Sequence, residues 1–335
     1  MTKFRFVLLA LAAFASAPAV ALGGTISWKT LTEPDGSAVT PEAISGNLVV
    51  GIGNGGSFMY NIAANAWTTG LQFPQRIATD AFGTDGSSIV GNMQKGDDVF
   101  YGFTYKIATN NWTEIDEPSA YTAGGAFDGT FPTGVSGNTV VGYYRKSLGV
   151  YNAFIYNTTT SIWTSVADAG HPTEFLGISG NFVLGEYWQN NGVPVPSVYN
   201  LTSGTWTDFP DDPFASIPGS TNPGYTPTGI DGNNIVGNYS SPSNPGGGYY
   251  EGDLYNRSAN VWSGPFVDPT SNTGTLTTGI SGNHIIGFYT YGNNGNQAGF
   301  VATLPEPSSL CLVVLGGIAL IPLATGRWRP KIRQA

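Results

Sequence analysis

The sequence predicts an all-β protein, a six-bladed β-propeller built from four-stranded antiparallel blades. Three observations predict it: a glycine motif that recurs six times, a tyrosine and a tryptophan spaced seven residues apart, and an unusual composition. Of 335 residues, 47 are glycine, 13 % are aromatic and only 10 % are charged. That composition is typical of strands joined by uncharged polar turns, and its aromatic content argues against disorder.

The first residues predict a secretory signal. Lys3 and Arg5 precede an apolar run, and Ala19-Val20-Ala21 offers a small-residue cleavage site. This order is that of a signal peptide over residues 1–21, which we exclude from the fold because it is removed on export. We therefore expect export through the inner membrane of a Gram-negative-type bacterium.

Residues 22–304 carry the repeats. Each copy has a turn glycine after Ser or Asp, at Gly46, Gly86, Gly137, Gly180, Gly232 and Gly282. A second glycine follows five residues later, at Gly51, Gly91, Gly142, Gly185, Gly237 and Gly287. Self-similarity at a period of 40 to 52 residues indicates a repeat architecture.

In five copies a tyrosine follows the second glycine, and a tryptophan follows that tyrosine by seven residues. These pairs are Tyr60 and Trp67, Tyr105 and Trp112, Tyr156 and Trp163, Tyr199 and Trp206, and Tyr255 and Trp262. In the third copy the pattern predicts strands over residues 132–136, 138–144, 152–157 and 162–166, with Ser136-Gly137 as a tight hairpin turn. Four short strands at this period predict propeller blades.

The sixth copy has no tryptophan of its own. The N-terminal stretch TISWKTL supplies Trp28, which lies 18 residues before Gly46, within the range of the other tryptophan-to-glycine intervals. We therefore expect the strand around Trp28 to complete the last blade and close the ring, which leaves few open strand edges. An open six-repeat solenoid is the alternative.

Loop lengths divide the predicted disc into two faces. The turn after the first strand and the turn between tyrosine and tryptophan are constant, so one face is uniform; the other connections vary and emerge on the opposite, variable face. Loops on a rigid scaffold commonly carry recognition. Trp188 is the one tryptophan of residues 22–304 outside the repeat pattern, and we predict that it lies in the loop between the second and third strands of its copy and binds the ligand. The other predicted ligand-binding aromatics on this face are Phe127, Phe131, Tyr144, Tyr151, Tyr225, Tyr249 and Tyr250.

Charge and residue types limit the chemistry. Residues 22–304 hold seven Lys and Arg against 21 Asp and Glu, a net charge of −14, which argues against nucleic acid as a partner. His171 and His284 lie in unrelated copies and no metal-ligand spacing occurs, so we expect no metal and no cofactor. Carboxylates at Asp97-Asp98, Asp128 and Asp211-Asp212 leave a polysaccharide-active enzyme as an alternative to a binding module. A structural or ice-binding surface is the third possibility.

The repeat resembles two known β-repeat types. The stretch YNTTTSIWT is similar to kelch repeats, and GVSGNTVVGYY followed by AFIYN is similar to HAF repeats of bacterial exported proteins. The residue after the second glycine, however, departs from the kelch double glycine in every copy. It is Ile52, Asn92, Tyr143, Glu186, Asn238 or Phe288.

The C-terminal residues 305–335 resemble the PEP-CTERM sorting signal. Pro305-Glu306-Pro307 precedes an apolar stretch over residues 310–324, which predicts a single transmembrane helix. A basic tail follows, with Arg327, Arg329, Lys331 and Arg333. The resemblance implies an exosortase-type sorting enzyme as partner, with membrane insertion before processing and a final place in the envelope, cell surface or exopolysaccharide matrix. The expected function is binding of an extracellular polysaccharide or an envelope protein.

Overall fold

The computed structural model describes residues 25–122, 128–167, 171–189, 193–210, 212–213, 225–240, 250–272, 274–292 and 296–305. Their strands, in chain order, are β1 Ser27–Leu31, β2 Thr40–Ser45, β3 Leu48–Gly53, β4 Gly56–Asn61, β5 Ala66–Leu71, β6 Ala78–Thr84, β7 Ser88–Gln94, β8 Val99–Lys106, β9 Asn111–Ile115, β10 Asp128–Ser136, β11 Thr139–Ser147, β12 Val150–Asn157, β13 Ile162–Val166, β14 Thr173–Ser179, β15 Phe182–Trp188, β16 Pro194–Asn200, β17 Thr205–Asp208, β18 Tyr225–Asp231, β19 Asn234–Ser240, β20 Tyr250–Asn256, β21 Val261–Phe266, β22 Thr275–Ser281, β23 His284–Tyr291 and β24 Asn296–Thr303. A 3₁₀ turn covers Ile107–Thr109. The all-β prediction is confirmed.

The strands of the described residues form four separate four-stranded blades and one larger sheet. The blades are β2 to β5, β14 to β17, β18 to β21, and β22 to β24 with β1. The remaining two repeats share an eight-stranded sheet, because β8 and β10 pair in parallel through Val99 with Asp128 and Phe100 with Gly129. The prediction of six separate blades is therefore wrong.

Glycine explains how these two repeats can join. Gly129 has a φ of +115°, and a Cβ at this position would lie 1.8 Å from the carbonyl oxygen of Phe100. Only a residue without a side chain permits so close an approach of the two backbones. Each half of the eight-stranded sheet, β6 to β9 and β10 to β13, is itself antiparallel.

The N-terminal strand closes the last blade. β1 pairs antiparallel with β24, with Trp28 opposite Ala302, and the Trp28 ring meets Phe300 edge-on with centroids 5.0 Å apart. The next repeat is in contact too, since the Gly46 N–H donates to Ser281 Oγ over 2.9 Å. The predicted place of the Trp28 strand is confirmed.

In four of the six repeats the recurrent Ser or Asp before the turn glycine links neighbouring repeats. Its side-chain oxygen accepts a hydrogen bond from the turn-glycine N–H of the following repeat. Besides the bond from Gly46 to Ser281, the glycine N–H donates to the side chain of its partner from Gly137 to Asp85 (3.0 Å), from Gly232 to Ser179 (2.9 Å) and from Gly282 to Asp231 (2.7 Å). The motif thus serves assembly of the disc on its uniform face.

The tyrosine and tryptophan of five copies are direct cross-strand neighbours. Four-residue turns at 62–65, 107–110, 158–161, 201–204 and 257–260 set the seven-residue interval. The ring centroids within these pairs lie between 4.3 and 5.0 Å apart. The pairs border the hydrophobic clusters that fill the space between sheets, so these rings hold the fold together.

The two terminal signals lie outside the described residues. This applies to the signal peptide over residues 1–21, to Glu306, Pro307 and the apolar stretch over 310–324, and to the basic residues Arg327, Arg329, Lys331 and Arg333. Pro305 is described and is partly buried. Within the described part of the chain, no helix has the length and apolar character of a membrane span.

Candidate binding site at the mouth of the central channel

A central channel runs between the inner strands β2, β6, β10, β14, β18 and β22. Each of these strands carries a β-bulge at the same place, opposite the second glycine of its repeat. A bulge redirects a side chain out of the regular alternation. The six bulge residues line a channel cavity of about 70 Å³: Glu42, Phe82, Thr133, Leu176, Thr228 and Thr278.

One ring of cross-strand pairs lies just beyond the bulges, on the variable face. Each pair joins the residue after the second glycine to its partner on the inner strand. The pairs are Thr40 with Ile52, Asp80 with Asn92, Phe131 with Tyr143, Glu174 with Glu186, Thr226 with Asn238, and Leu276 with Phe288. The two residues of a pair lie on the same side of their sheet. Since the residue types differ from one pair to the next, each repeat contributes a different combination of chemical groups at the mouth.

A cavity of about 230 Å³ lies at this mouth, between the second and third repeats. Its walls are mainly aromatic, and its polar lining comes from Asp80, Asn92 and Thr133. The aromatic lining residues are Phe82, Phe100, Phe131 and Tyr143. Tyr143 stacks on Phe131 with ring centroids 5.0 Å apart, so these two rings form one continuous wall.

Carboxyl groups at the mouth are held in poorly solvated positions. Burial, with a smaller effect of nearby Asp80, raises the pKa of Glu42 to about 8, and burial also raises the pKa of Asp80. Burial raises the pKa of Glu174 to about 8, with Glu186 adding to the effect, and raises the pKa of Glu186 to about 7. Carboxyls of this kind occur frequently at functional sites.

Three of the predicted ligand-binding aromatics lie near connections of the variable face and are partly exposed to solvent. Trp188 is the last residue of β15, where it pairs with Pro194, so the prediction that it lies in a loop is wrong by one residue. It is partly exposed, as is Tyr151 in β12. Tyr250 begins β20 and is 41 % exposed. These three residues belong to the third, fourth and fifth repeats.

The other predicted aromatics pack inside the protein or lie outside the described residues. Tyr144, Phe131 and Tyr225 are only 3 %, 5 % and 6 % exposed. Tyr144 turns away from the mouth into the cluster between the second and third repeats, because neighbouring strand residues alternate in direction. Tyr249 and Phe127 fall outside the described residues.

The described carboxylates that the sequence singles out lie in different settings, and Asp211 lies outside the described residues. The Asp97 carboxylate accepts a hydrogen bond from Tyr101 over 2.6 Å in an exposed turn, whereas Asp128 is buried in an ion pair with Arg145. Asp212 lies elsewhere and interacts with Asp253, whose pKa is raised to about 10 by burial and by this neighbour. Among the described residues, no three His, Cys, Asp or Glu side chains are grouped closely enough to hold a metal ion.

The fold and site define a β-propeller protein with a structured channel mouth. No protein-family model and no curated protein matches the chain. Among solved structures, TolB from Acinetobacter baumannii is similar at 14 % identity and a TM-score of 0.41, over 80 % of this chain and 63 % of that one. A putative TolB from Agrobacterium tumefaciens is similar at 9 % identity and a TM-score of 0.49, over 80 % and 90 %.

A third similar structure is the β-propeller domain of the Trilobed protease from Pyrococcus furiosus. Its identity is 10 % and its TM-score is 0.46, over 79 % of this chain and 82 % of that one. The chain spans 63 % of the length of the Acinetobacter protein. At these identities the likeness concerns the arrangement of strands alone.

Proposed function

We propose that this protein is an exported interaction module of the cell envelope, surface or extracellular matrix, and that its variable face binds the partner. The contrast between the two faces carries this proposal. On the uniform face every described turn is short, and in four repeats the recurrent Ser, Asp and Gly groups are engaged in hydrogen bonds between repeats. On the variable face the connections differ in length, and the channel mouth offers different side chains from each repeat.

The cellular location in this proposal is inferred from the sequence. The signal peptide over residues 1–21 and the PEP-CTERM-like segment 305–335 support export, recognition by an exosortase-type enzyme, and placement at the surface or in the matrix. The kelch-like and HAF-like repeats agree with an exported interaction protein. Extracellular polysaccharide and envelope proteins are the partners available in that compartment.

Trp188 tests the proposed face. We expect Trp188→Ala to weaken binding to purified matrix polysaccharide, or to an envelope protein partner, several-fold while the melting temperature stays within a few degrees. The physical reason is that a partly exposed aromatic plane at a strand end contributes contact area to a ligand more than it contributes to the core. Binding is measured on a glycan array and by calorimetry with the matrix polysaccharide.

The matched control is Ile162→Ala. Ile162 is 60 % exposed and begins β13 beside a uniform-face turn. We expect this variant to bind as the parent does. Equal losses in both variants, or unfolding of the Trp188 variant without selective loss of binding, would remove Trp188 from the binding surface.

A second candidate function rests on the Glu174 and Glu186 pair. These two glutamates lie directly opposite each other on β14 and β15 at the channel mouth, and both have raised pKa values. A protonated and an ionised carboxyl in proximity are the groups that glycoside hydrolysis uses. Hydrolysis would be established if the parent protein releases reducing ends from the bound polysaccharide and Glu174→Gln abolishes this release but keeps binding. If the parent releases no reducing ends, the protein is a binding module.

A further inference from the structure

One buried acceptor at the mouth has no partner because of a neighbouring proline. In the fifth repeat, Asn238 Nδ2 donates to the carbonyl oxygen of Thr277 over 2.9 Å, and its Oδ1 accepts from the Thr277 N–H over 2.7 Å. Asn92 holds the same position in the second repeat, but the following repeat has Pro132 where Thr277 stands. Proline has no N–H to donate.

Asn92 is therefore left with an unused acceptor that borders the mouth cavity. The residue is 4 % exposed, and its buried Oδ1 has no hydrogen-bond partner. An unpaired buried polar group of this kind destabilises the folded protein, so its retention at the wall of a cavity is a sign of a ligand site. Asn92 lines the cavity of about 230 Å³ together with its cross-strand neighbour Asp80.

The polar groups of this cavity mostly accept hydrogen bonds. The Asp80 carboxyl and Asn92 Oδ1 are acceptors, and Asp80 is close enough to Glu42 to contribute to the raised pKa of Glu42. None of the residues lining the cavity is basic, and among the described residues neither Asp80 nor Glu42 forms an ion pair. A group that satisfies this site must donate hydrogen bonds, and a positive charge offsets the poor solvation of the carboxyls.

The geometry points to a binding site for a protonated amino or guanidinium group, supplied by a lysine or arginine side chain of a protein partner, in the mouth cavity beside Asn92. This inference rests on the proposed function only in that the partner approaches the variable face. The aromatic walls suit the methylene stem of such a side chain and attract its charge. The cavity is smaller than the roughly 300–1,000 Å³ of small-molecule pockets, which fits one side chain rather than a sugar ring rich in hydroxyls.

Titration of the natively purified protein with small probes tests the site. The probes are Nα-acetyl-lysinamide and Nα-acetyl-argininamide, the neutral Nα-acetyl-norleucinamide, and glucosamine as the amino-sugar alternative; binding is followed by calorimetry or NMR. We expect saturable millimolar binding of the lysine or arginine probe, at least tenfold tighter than that of norleucinamide. Equal binding of norleucinamide, preferential binding of glucosamine, or no saturable binding would each overturn the inference.

Pro132→Thr is the sharpest variant. It restores the N–H that Thr277 provides in the equivalent position, so Asn92 Oδ1 gains an internal partner and we expect probe binding to fall at least fivefold with the melting temperature unchanged or higher. Asp80→Asn is expected to lose probe binding as well, and Asp97→Asn, an exposed acid that does not line the cavity, is the matched control. Parent-like binding by both Pro132→Thr and Asp80→Asn would refute the site, whether or not the variable face still binds polysaccharide.

Discussion

Deleting residues 24–32 is expected to destabilise the protein by about 3–5 kcal/mol or more, which lowers the melting temperature by roughly 10 °C or more. The deletion removes β1, the packing of Trp28 on Phe300, and Leu31, which is 1 % exposed. It also leaves the backbone edge of β24 unpaired, which favours aggregation. Urea unfolding and thermal melting of the deleted and parent chains measure the effect.

A circular permutant separates loss of the strand from loss of its position in the chain. In five repeats the third and fourth strands are joined by four-residue turns, and Thr303 lies opposite Ser27 as the ends of such a turn do. We expect a chain that starts near Thr40 and carries residues 27–32 after Thr303, through a four-residue turn, to regain most of the lost stability. A deletion chain that melts within a few degrees of the parent would contradict closure by β1.

Gly287→Ala is expected to destabilise the protein by about 3 kcal/mol or more, because the added Cβ would lie 1.9 Å from the carbonyl oxygen of Leu276. Neither backbone can move away without breaking the pairing of β22 with β23. The same closeness recurs at the second glycine of the other repeats. There the nearest atom lies between 1.9 and 2.6 Å from such a Cβ, at Gly51, Gly91, Gly142, Gly185 and Gly237.

Gly177→Ala is the matched control on an inner strand. Its Cβ would meet only Ile230 Cγ2, at 3.8 Å, and its φ is not in the left-handed region. We expect this substitution to change the free energy of unfolding by less than about 1 kcal/mol. The expected change is an increase, because alanine restricts the conformations of the unfolded chain. Similar losses in the two variants would show that the second glycine is not required for close strand approach.

Much of the fold could be predicted because each repeat signals its strands independently. Turn glycines, the tyrosine-tryptophan interval and the absent sixth tryptophan were enough to place the strands and to assign Trp28 to the last blade. The joining of the second and third repeats could not be predicted, since it depends on a short parallel pairing of Val99 and Phe100 with Asp128 and Gly129 that does not recur in the repeat pattern. The sequence pattern predicts that Trp188 lies in a loop, whereas it is the last residue of β15, because the ends of strands are the least certain part of such a prediction.

The residues of the candidate site are harder to predict from the sequence than the strands are. The pattern indicates Tyr144 and Tyr225 as exposed aromatics near variable loops, yet side-chain direction, which depends on the register of each strand, buries them. Phe131 is buried as well, but it lines the mouth cavity. A usable signal existed in the residue after each second glycine, where Asn92 and Glu186 stand. These positions hold five different residue types in six copies while the surrounding motif recurs, and each pairs with an inner strand beside the bulge.

The central claim is that the partner binds on the variable face around the channel mouth. Hydrogen–deuterium exchange of the natively purified protein, with and without matrix polysaccharide or envelope protein from the producing cells, tests it most directly. We predict slower exchange in the connections 32–39, 72–77 and 267–272 and at the mouth ends of the inner strands. Exchange at the uniform-face turns 46–47, 137–138, 180–181 and 232–233 should not change. Protection confined to those turns, with the variable face unaffected, would contradict the proposed binding surface.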